Sequence, residues 1–235
     1  MKYPQKEKYS LEDLLAVTRI LRSENGCPWD REQDHHSIRR EFLEEAYEAV
    51  EAIDTDDAIL LREELGDVLF QVVFHAQIEA EKGTFDFSDV ASDAAKKMIV
   101  RHPFVFGEDT AEDAADALRQ WDQVKMTLKA QTTQAEVLRS VTPAMPALMR
   151  AEKVLKKAEK AGAPGSEEAS CKQAQDAWEA FAGGEGNEEQ LGRLLLAVTD
   201  LARRRGLHAE DALASAVNRY IDGFEEAAYP GEKRK

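Results

Sequence analysis

Glu45 with Glu48, and Glu64 with Asp67, form two carboxylate pairs spaced i, i+3 in the stretches "EEAYEAVEAID" (44–54) and "EELGDVLF" (63–70). On a helix that spacing puts both acids of a pair on one face. Two such pairs on facing helices present four carboxylates to one cavity. That donor set suits a hard cation, Mg²⁺ or Mn²⁺, with open positions left for phosphate and water. The acids must then face inward. With Glu45 at zero and 100° per residue, Ile38 falls at about +20°, Ala49 at about +40°, Phe42 at about +60° and Ala52 at about −20°. Glu45 therefore lies inside an apolar arc, with Glu41 and Glu48 on its edge. Glu64 sits likewise among Leu60, Leu61, Val68 and Val72, and Asp67, Gln71 and His75 continue its stripe at about −60°, −20° and +20°. Ionised carboxylates left unpaired in such a setting cost more than an ordinary fold tolerates. Either basic side chains or a cation must meet them. Glu44, Glu51 and Glu63 lie further round and read as a solvated face.

The elements that carry these residues read as helices throughout. Ser10 opens a capping pattern before Leu11, Leu14, Leu15 and Leu21. "NGCPWD" (25–30) reads as a loop, with Asp30 as a cap for the next helix. That helix is expected over 34–53, and Leu43, Tyr47 and Val50 give it a second packing face. "DTDD" (54–57) is a polar turn. A near-continuously apolar, central helix follows over 58–81 and stops near Gly83. Further helices are expected over 88–101, ended by "HPFVFGED", and over 111–130. No stretch alternates with the period of a strand, so the fold class is all-α.

Beyond about 131–146, which reads as a linker, the chain resembles its own first half. "EEAYEA" (44–49) aligns with "QDAWEA" (175–180), and "EELGDVLFQVVFHA" (63–76) with "EQLGRLLLAVTDLA" (189–202). Two tandem repeats are expected, a catalytic one over 1–130 and a degenerate one over 147–235. In the second, Asp176 and Glu179 stand for Glu45 and Glu48, but Gln190 and Arg193 stand for Glu64 and Asp67. The Arg193 guanidinium is expected to pair with Asp176 or Glu179, substituting side-chain charge for a metal. Lys97 maps to Arg219, Arg101 falls on Gly223, and no second Trp-x-x-x-Lys follows.

The 235 residues carry 31 basic and 46 acidic side chains, a formal net charge of −15. Such a field repels nucleic acid and anionic membrane, and neither is expected as a partner. The N-terminal stretch has no apolar core like that of a signal peptide, and no apolar run approaches the ~20 residues of a membrane span. With only Cys27 and Cys171, a reducing, cytoplasmic setting is expected. No spacing argues for a Ser-His-Asp or Cys-His nucleophile. By type alone Trp121 is a core aromatic, the lysines are solvated, and His75 is a core or supporting histidine.

"EExxE" at 44–48 followed by "ExxD" at 64–67 resembles the MazG-type nucleoside triphosphate pyrophosphohydrolases of the all-α NTP pyrophosphatase superfamily. "GCPWD" (26–30), "FDF" (85–87), "RHPFVFG" (101–107), "RQWDQVK" (119–125) and "PALMRAEK" (146–153) are similar to that family too. The resemblance implies magnesium ligands at Glu45, Glu48, Glu64 and Asp67. It implies phosphate or base contacts at Lys97, Arg101, Trp121 and Lys125, and a homodimer. The expected reaction is Mg²⁺-dependent hydrolysis of a nucleoside triphosphate to monophosphate and pyrophosphate. Glu44 or Glu41 would orient the water or accept its proton. The competing readings are a catalytically silent helical interaction protein and a pyrophosphohydrolase narrow for one nucleotide, such as dUTP.

Overall fold

The computed structural model describes residues 3–128, 133–184 and 186–228, and every regular element among them is a helix. The chain divides into two compact units, Met1–Lys125 and Met126–Lys235. The first holds α1 (Leu11–Leu21), α2 (Pro28–Glu32), α3 (Arg39–Asp54), α4 (Ala58–Lys82), α5 (Phe87–Arg101), α6 (Pro103–Phe106) and most of α7 (Ala114–Leu128). The second holds α8 (Gln134–Arg139), α9 (Ala147–Lys160), α10 (Glu167–Ala182), α11 (Glu188–Arg204) and α12 (Ala209–Ala228). Residues 129 and 130, expected in the fifth helix, lie outside the described residues.

Local chemistry sets these boundaries. Ser10 and Asp13 close a capping box at the start of α1. The Asp57 carboxylate accepts the N–H groups of Ile59 and Leu60 to start α4, and Gly83 ends it at φ +74°, a left-handed conformation that costs a glycine little. Asp86 and Asp89 box the start of α5. Two expectations are corrected here. The helix expected from residue 34 begins at Arg39, because the Asp34 carboxylate takes the N–H groups of His36 and Ser37 at 2.8 Å and holds 34–37 as a turn. Asp30 does not cap it: Asp30 is buried inside the short helix α2, within the stretch read as a loop, and its carbonyl accepts from Arg22.

In the first unit α4 is central and packs against α3, α1 and α5. Helices α3 and α4 are joined by Thr55–Asp57 and run antiparallel. Three pairs fix their register, Ile38 with Phe74, Glu45 with Asp67 and Glu48 with Glu64; the positions of each pair sum to 112, so the same register, stepping by threes and fours, sets Glu41 opposite Gln71 and Ala52 opposite Leu60. This is a heptad seam. Ile38 packs with Phe74 and Ile78 at one end, and Ala52 is 1% exposed at the other. Three polar layers lie between these apolar ends. Arg22 fastens α1 and the incoming loop to α4: it pairs with Glu81 at 2.8 Å, covers the Phe74 ring, and donates to the carbonyls of Asp30 and Gln33.

The second face expected on α3 has no partner within the chain's described residues: Leu43, Tyr47 and Val50 are each at least half exposed. Leu65 and Leu69 of α4, the helix expected to be buried nearly all round, are exposed too.

In the second unit α11 packs against α10 and α9, and α12 against α9 and α11. Within the stretch read as a linker, α8 packs on α9, where Lys157 Nζ donates to the Ser140 hydroxyl at 2.6 Å. A polar network ties α9, α10 and α11: Asp200 is buried, hydrogen-bonded to Ser170 and paired with Arg203 and Arg204, and both arginines reach Glu159.

Candidate metal and nucleotide site

Glu45, Glu48 and Glu64 each offer a carboxylate oxygen within 4.8 Å of the others. They come from two layers of the seam, Glu48 opposite Glu64 and Glu45 opposite Asp67. Glu64 is 7% exposed and faces the Glu48 carboxylate. Burial, then the charge of Glu48, raises the Glu64 pKa above the usual carboxylate range. Burial, then the charges of Asp67, Glu48, Glu44 and Glu41, raises that of Glu45. The structure thus converges three of the four expected ligands. Asp67 is exposed and lies outside the three-residue cluster, although its charge acts on both Glu45 and Glu64.

These residues fit a hard divalent cation. All the donors are oxygens, they converge without a basic partner among the described residues, and a cation would offset the burial and like charge that raise the pKa values of Glu45 and Glu64.

The two candidate bases separate. Glu44 is exposed, whereas Glu41 is half-buried on the seam and its Oε2 meets no donor. Opposite Glu41 in the register stands Gln71, 9% exposed, whose Oε1 also meets none. The angular reading placed Gln71 on the stripe but gave it no task. The heptad spacing 64, 67, 71, 74 was the signal.

Arg101, Trp121 and Lys125 gather at a second place in the first unit. The Arg101 guanidinium carbon lies 5.3 Å from the Trp121 ring centroid, and Lys125 Nζ lies 4.4 Å from it. Both cations therefore sit over the indole. Arg101 Nε is enclosed and meets no acceptor. Lys97, one turn earlier on α5, is exposed.

A contact not foreseen lies at the Ile38 end of the seam. His35 Nδ1 and His75 Nδ1 are 2.7 Å apart, and His35 Nε2 is 2.6 Å from Glu79. One imidazole must donate to the other, so the pair cannot hold two imidazolium charges and keep this contact. Glu79 and His75 lie on opposite edges of the His35 ring, so the three do not converge as metal donors. Bonds from Lys82, Thr84 and His35 lower the Glu79 pKa to about 2. Burial, then His35, lowers that of His75 below 6.5. Below pH 6.5 the unfolded chain therefore takes a proton at His75 that the native state resists, and stability falls as pH drops through that range. The expected result is a lower thermal midpoint at pH 5.5 than at 7.5, with a smaller drop in His75→Gln. Parallel pH profiles for the two proteins would refute this origin.

In the second unit Asp176 and Glu179 are exposed on α10. Arg193 does not pair with either, as was expected. It pairs with Glu189 one turn back on its own helix, and both side chains are about three-quarters exposed, at 74% and 73%. A shift in helix start explains this: α11 begins at Glu188, so Gln190 falls in the first turn and its side chain accepts the Asn187 N–H in a capping box.

The MazG nucleotide pyrophosphohydrolase domain matches residues 33–106. The nucleoside triphosphate pyrophosphohydrolase of Escherichia coli K12 is 38% identical over 226 residues, covering 92% of this chain and 86% of that one. The nucleoside triphosphate pyrophosphohydrolase/pyrophosphatase MazG of Thermotoga maritima is 34% identical over 224 residues, covering 91% and 83%. A Mycobacterium tuberculosis protein of the same name as the first is 40% identical over 156 residues, covering 66% and 46%. This chain belongs to the MazG family.

Proposed function

We propose that this protein hydrolyses nucleoside triphosphates to nucleoside monophosphate and pyrophosphate at the α3–α4 seam, with Mg²⁺ held by Glu45, Glu48, Glu64 and Asp67. The observation that carries this reading is the convergence of Glu45, Glu48 and Glu64 oxygens within 4.8 Å, in a chain related over nine-tenths of its length to enzymes of that name. When bound, the ion supplies charge neutralisation at phosphate oxygens and acidifies water. The chain's own residues do the rest. The seam orients the ligands from two helices whose apolar ends hold their register. Lys97, Arg101 and Lys125 neutralise phosphate charge, and Trp121 offers an aromatic face to the base. Glu41 is the better candidate base than Glu44, because it lies on the seam with an oxygen free to accept a proton.

The exposed apolar face of Leu43, Tyr47, Val50, Leu65 and Leu69 supports a homodimer through α3 and α4, which sedimentation velocity can check. The second unit reads as a repeat that keeps the helices and lacks the site. No helix among the described residues is long and apolar enough to cross a membrane.

The test is a panel of canonical and damaged NTPs and dNTPs with Mg²⁺, followed by product separation. Pyrophosphate and monophosphate are expected. Orthophosphate with nucleoside diphosphate would exclude the reaction, and inactivity throughout would favour a silent interaction protein.

A further inference from the structure

The seam contains one polar layer more than the ligand set needs. Glu48–Glu64 and Glu45–Asp67 supply four carboxylates. The next layer toward the Ile38–Phe74 end is Glu41 opposite Gln71. It differs from the other two in kind, because it pairs a carboxylate with a neutral amide. Both residues bring an enclosed oxygen, Glu41 Oε2 and Gln71 Oε1, that meets no donor among the described residues. Gln71 is 9% exposed, in the middle of the longest helix of the first unit. An apolar residue there would continue the seam into the Phe74 layer at no such cost. Enclosed acceptors without donors are rare in folded proteins because each forfeits the hydrogen bonds it made in water. Two of them placed across one layer, adjoining the converging acids, mark a place for a ligand that donates twice.

Water has that form. With one O–H directed to each acceptor, its lone pairs point away from both, toward the neighbouring carboxylate layers. We propose that Gln71 and Glu41 clasp the hydrolytic water, Gln71 fixing its orientation and Glu41 taking its proton. Gln71 is then a catalytic residue, since it touches the attacking atom. In the step, the water oxygen bonds to phosphorus. The oxygen bridging the α- and β-phosphates leaves with its electron pair, and the water's proton passes to Glu41. An amide suits the orienting role better than a second carboxylate. It accepts a hydrogen bond without adding a sixth charge beside Glu41 and the four ligand carboxylates, where burial and like charge already raise the pKa values of Glu45 and Glu64.

The proposal rests on the pyrophosphohydrolase reading, and the experiment separates the two. Gln71→Met keeps the length of the side chain and removes the acceptor. With Mg²⁺ and a nucleoside triphosphate that the wild type cleaves, it should lower kcat about 100-fold, the scale of a misplaced reactant, with KM within threefold. Affinity for Mg²⁺ alone, and for a non-hydrolysable triphosphate analogue, should stay within threefold by calorimetry. The metal-free variant should melt no lower than wild type, because it sheds an unpaired acceptor. Glu41→Gln should lower kcat more, and the double variant should fall no further than Glu41→Gln alone, since both act on one water. Gln71→Leu repeats the test should Met pack poorly. A lowered melting point with proportionate loss of activity in both Gln71 variants would make Gln71 structural and overturn the proposal. So would weaker Mg²⁺ binding, which would make the layer a cation site, or multiplicative effects in the double variant. Wild-type kcat in Gln71→Met overturns the clasp alone. A wild type that releases no pyrophosphate overturns both readings.

Discussion

Glu64→Gln is expected to abolish pyrophosphate release and to make the metal-free protein more stable. The two effects have one cause. Glu64 is the most enclosed carboxylate of the cluster, and burial, then the charge of Glu48, makes its ionisation costly there. The amide keeps the shape, removes one charge, and can donate a hydrogen bond to Glu48. Activity should fall at least ~1,000-fold, the scale on which removal of an essential group is felt. The metal-free variant should melt a few degrees higher, about 2–4 °C. The pH dependence fixes the sign. The native state holds protons on Glu64 and Glu45 more firmly than the unfolded chain does. Stability from these groups is therefore fully present below pH 4.5 and declines as pH rises through their raised pKa values. Wild type should lose stability over that rise, and the variant should lose less. Added Mg²⁺ should stabilise wild type strongly and the variant weakly. Differential scanning fluorimetry across pH, with and without Mg²⁺, reads all of this. A variant that melts lower than wild type in chelator would show that Glu64 is held by contacts worth more than its charge costs.

The acids were legible because helical geometry is local. Glu45 and Glu64 could be placed inside apolar arcs from residues within two turns of each. The pairing of layers was less so, since it depends on the length of the Thr55–Asp57 turn and on which stripe faces which. Once α3 and α4 lie antiparallel, positions that sum to a constant meet, and Glu41 falls opposite Gln71. The start of α3 was misplaced because Asp34 satisfies two backbone N–H groups in a turn, an alternative that apolar periodicity does not register. His35 and His75 meet across forty residues, from a loop onto a helix, and no pattern along the chain encodes that. The same holds for Arg101 over Trp121. The i, i+4 spacing of Trp121 and Lys125 was readable, but the arrival of Arg101 from α5 was not. The exposure of Leu43, Tyr47 and Val50 has a different origin. Their apolar character was read correctly, but among the described residues nothing covers them, and each stays at least half exposed.

The second unit is expected to bind no Mg²⁺ even when its missing acids are restored. The alignment suggests that two substitutions, Gln190→Glu and Arg193→Asp, would rebuild the ligand set with Asp176 and Glu179. The structure gives a reason why they would not. In the first unit α4 starts at Ala58, so Glu64 lies almost two turns inside the helix and projects from the seam. In the second, α11 starts at Glu188, and position 190 is the third residue of the helix, facing the N-cap Asn187. A glutamate there is the favoured partner in a capping box. It would bind back to the Asn187 N–H, as Gln190 does at 3.1 Å, and strengthen the cap. Position 193 faces Glu189 and solvent, so an aspartate there would repel that acid and weaken the helix by a few tenths of a kcal/mol. Asp176 and Glu179 are exposed on α10. On the proposed repeat, the missing second site is a matter of where the helix begins as well as of which residues it carries. The measurement is calorimetry on the full chain with the first site silenced by Glu45→Gln, Glu48→Gln, Glu64→Gln and Asp67→Asn. Neither that protein nor the same protein carrying Gln190→Glu and Arg193→Asp should show Mg²⁺ binding tighter than the millimolar range, whereas wild type should bind at least tenfold more tightly. Tight binding that appears only with the two restored acids would mean that the cap yields to the metal, and that side-chain identity alone had closed the site.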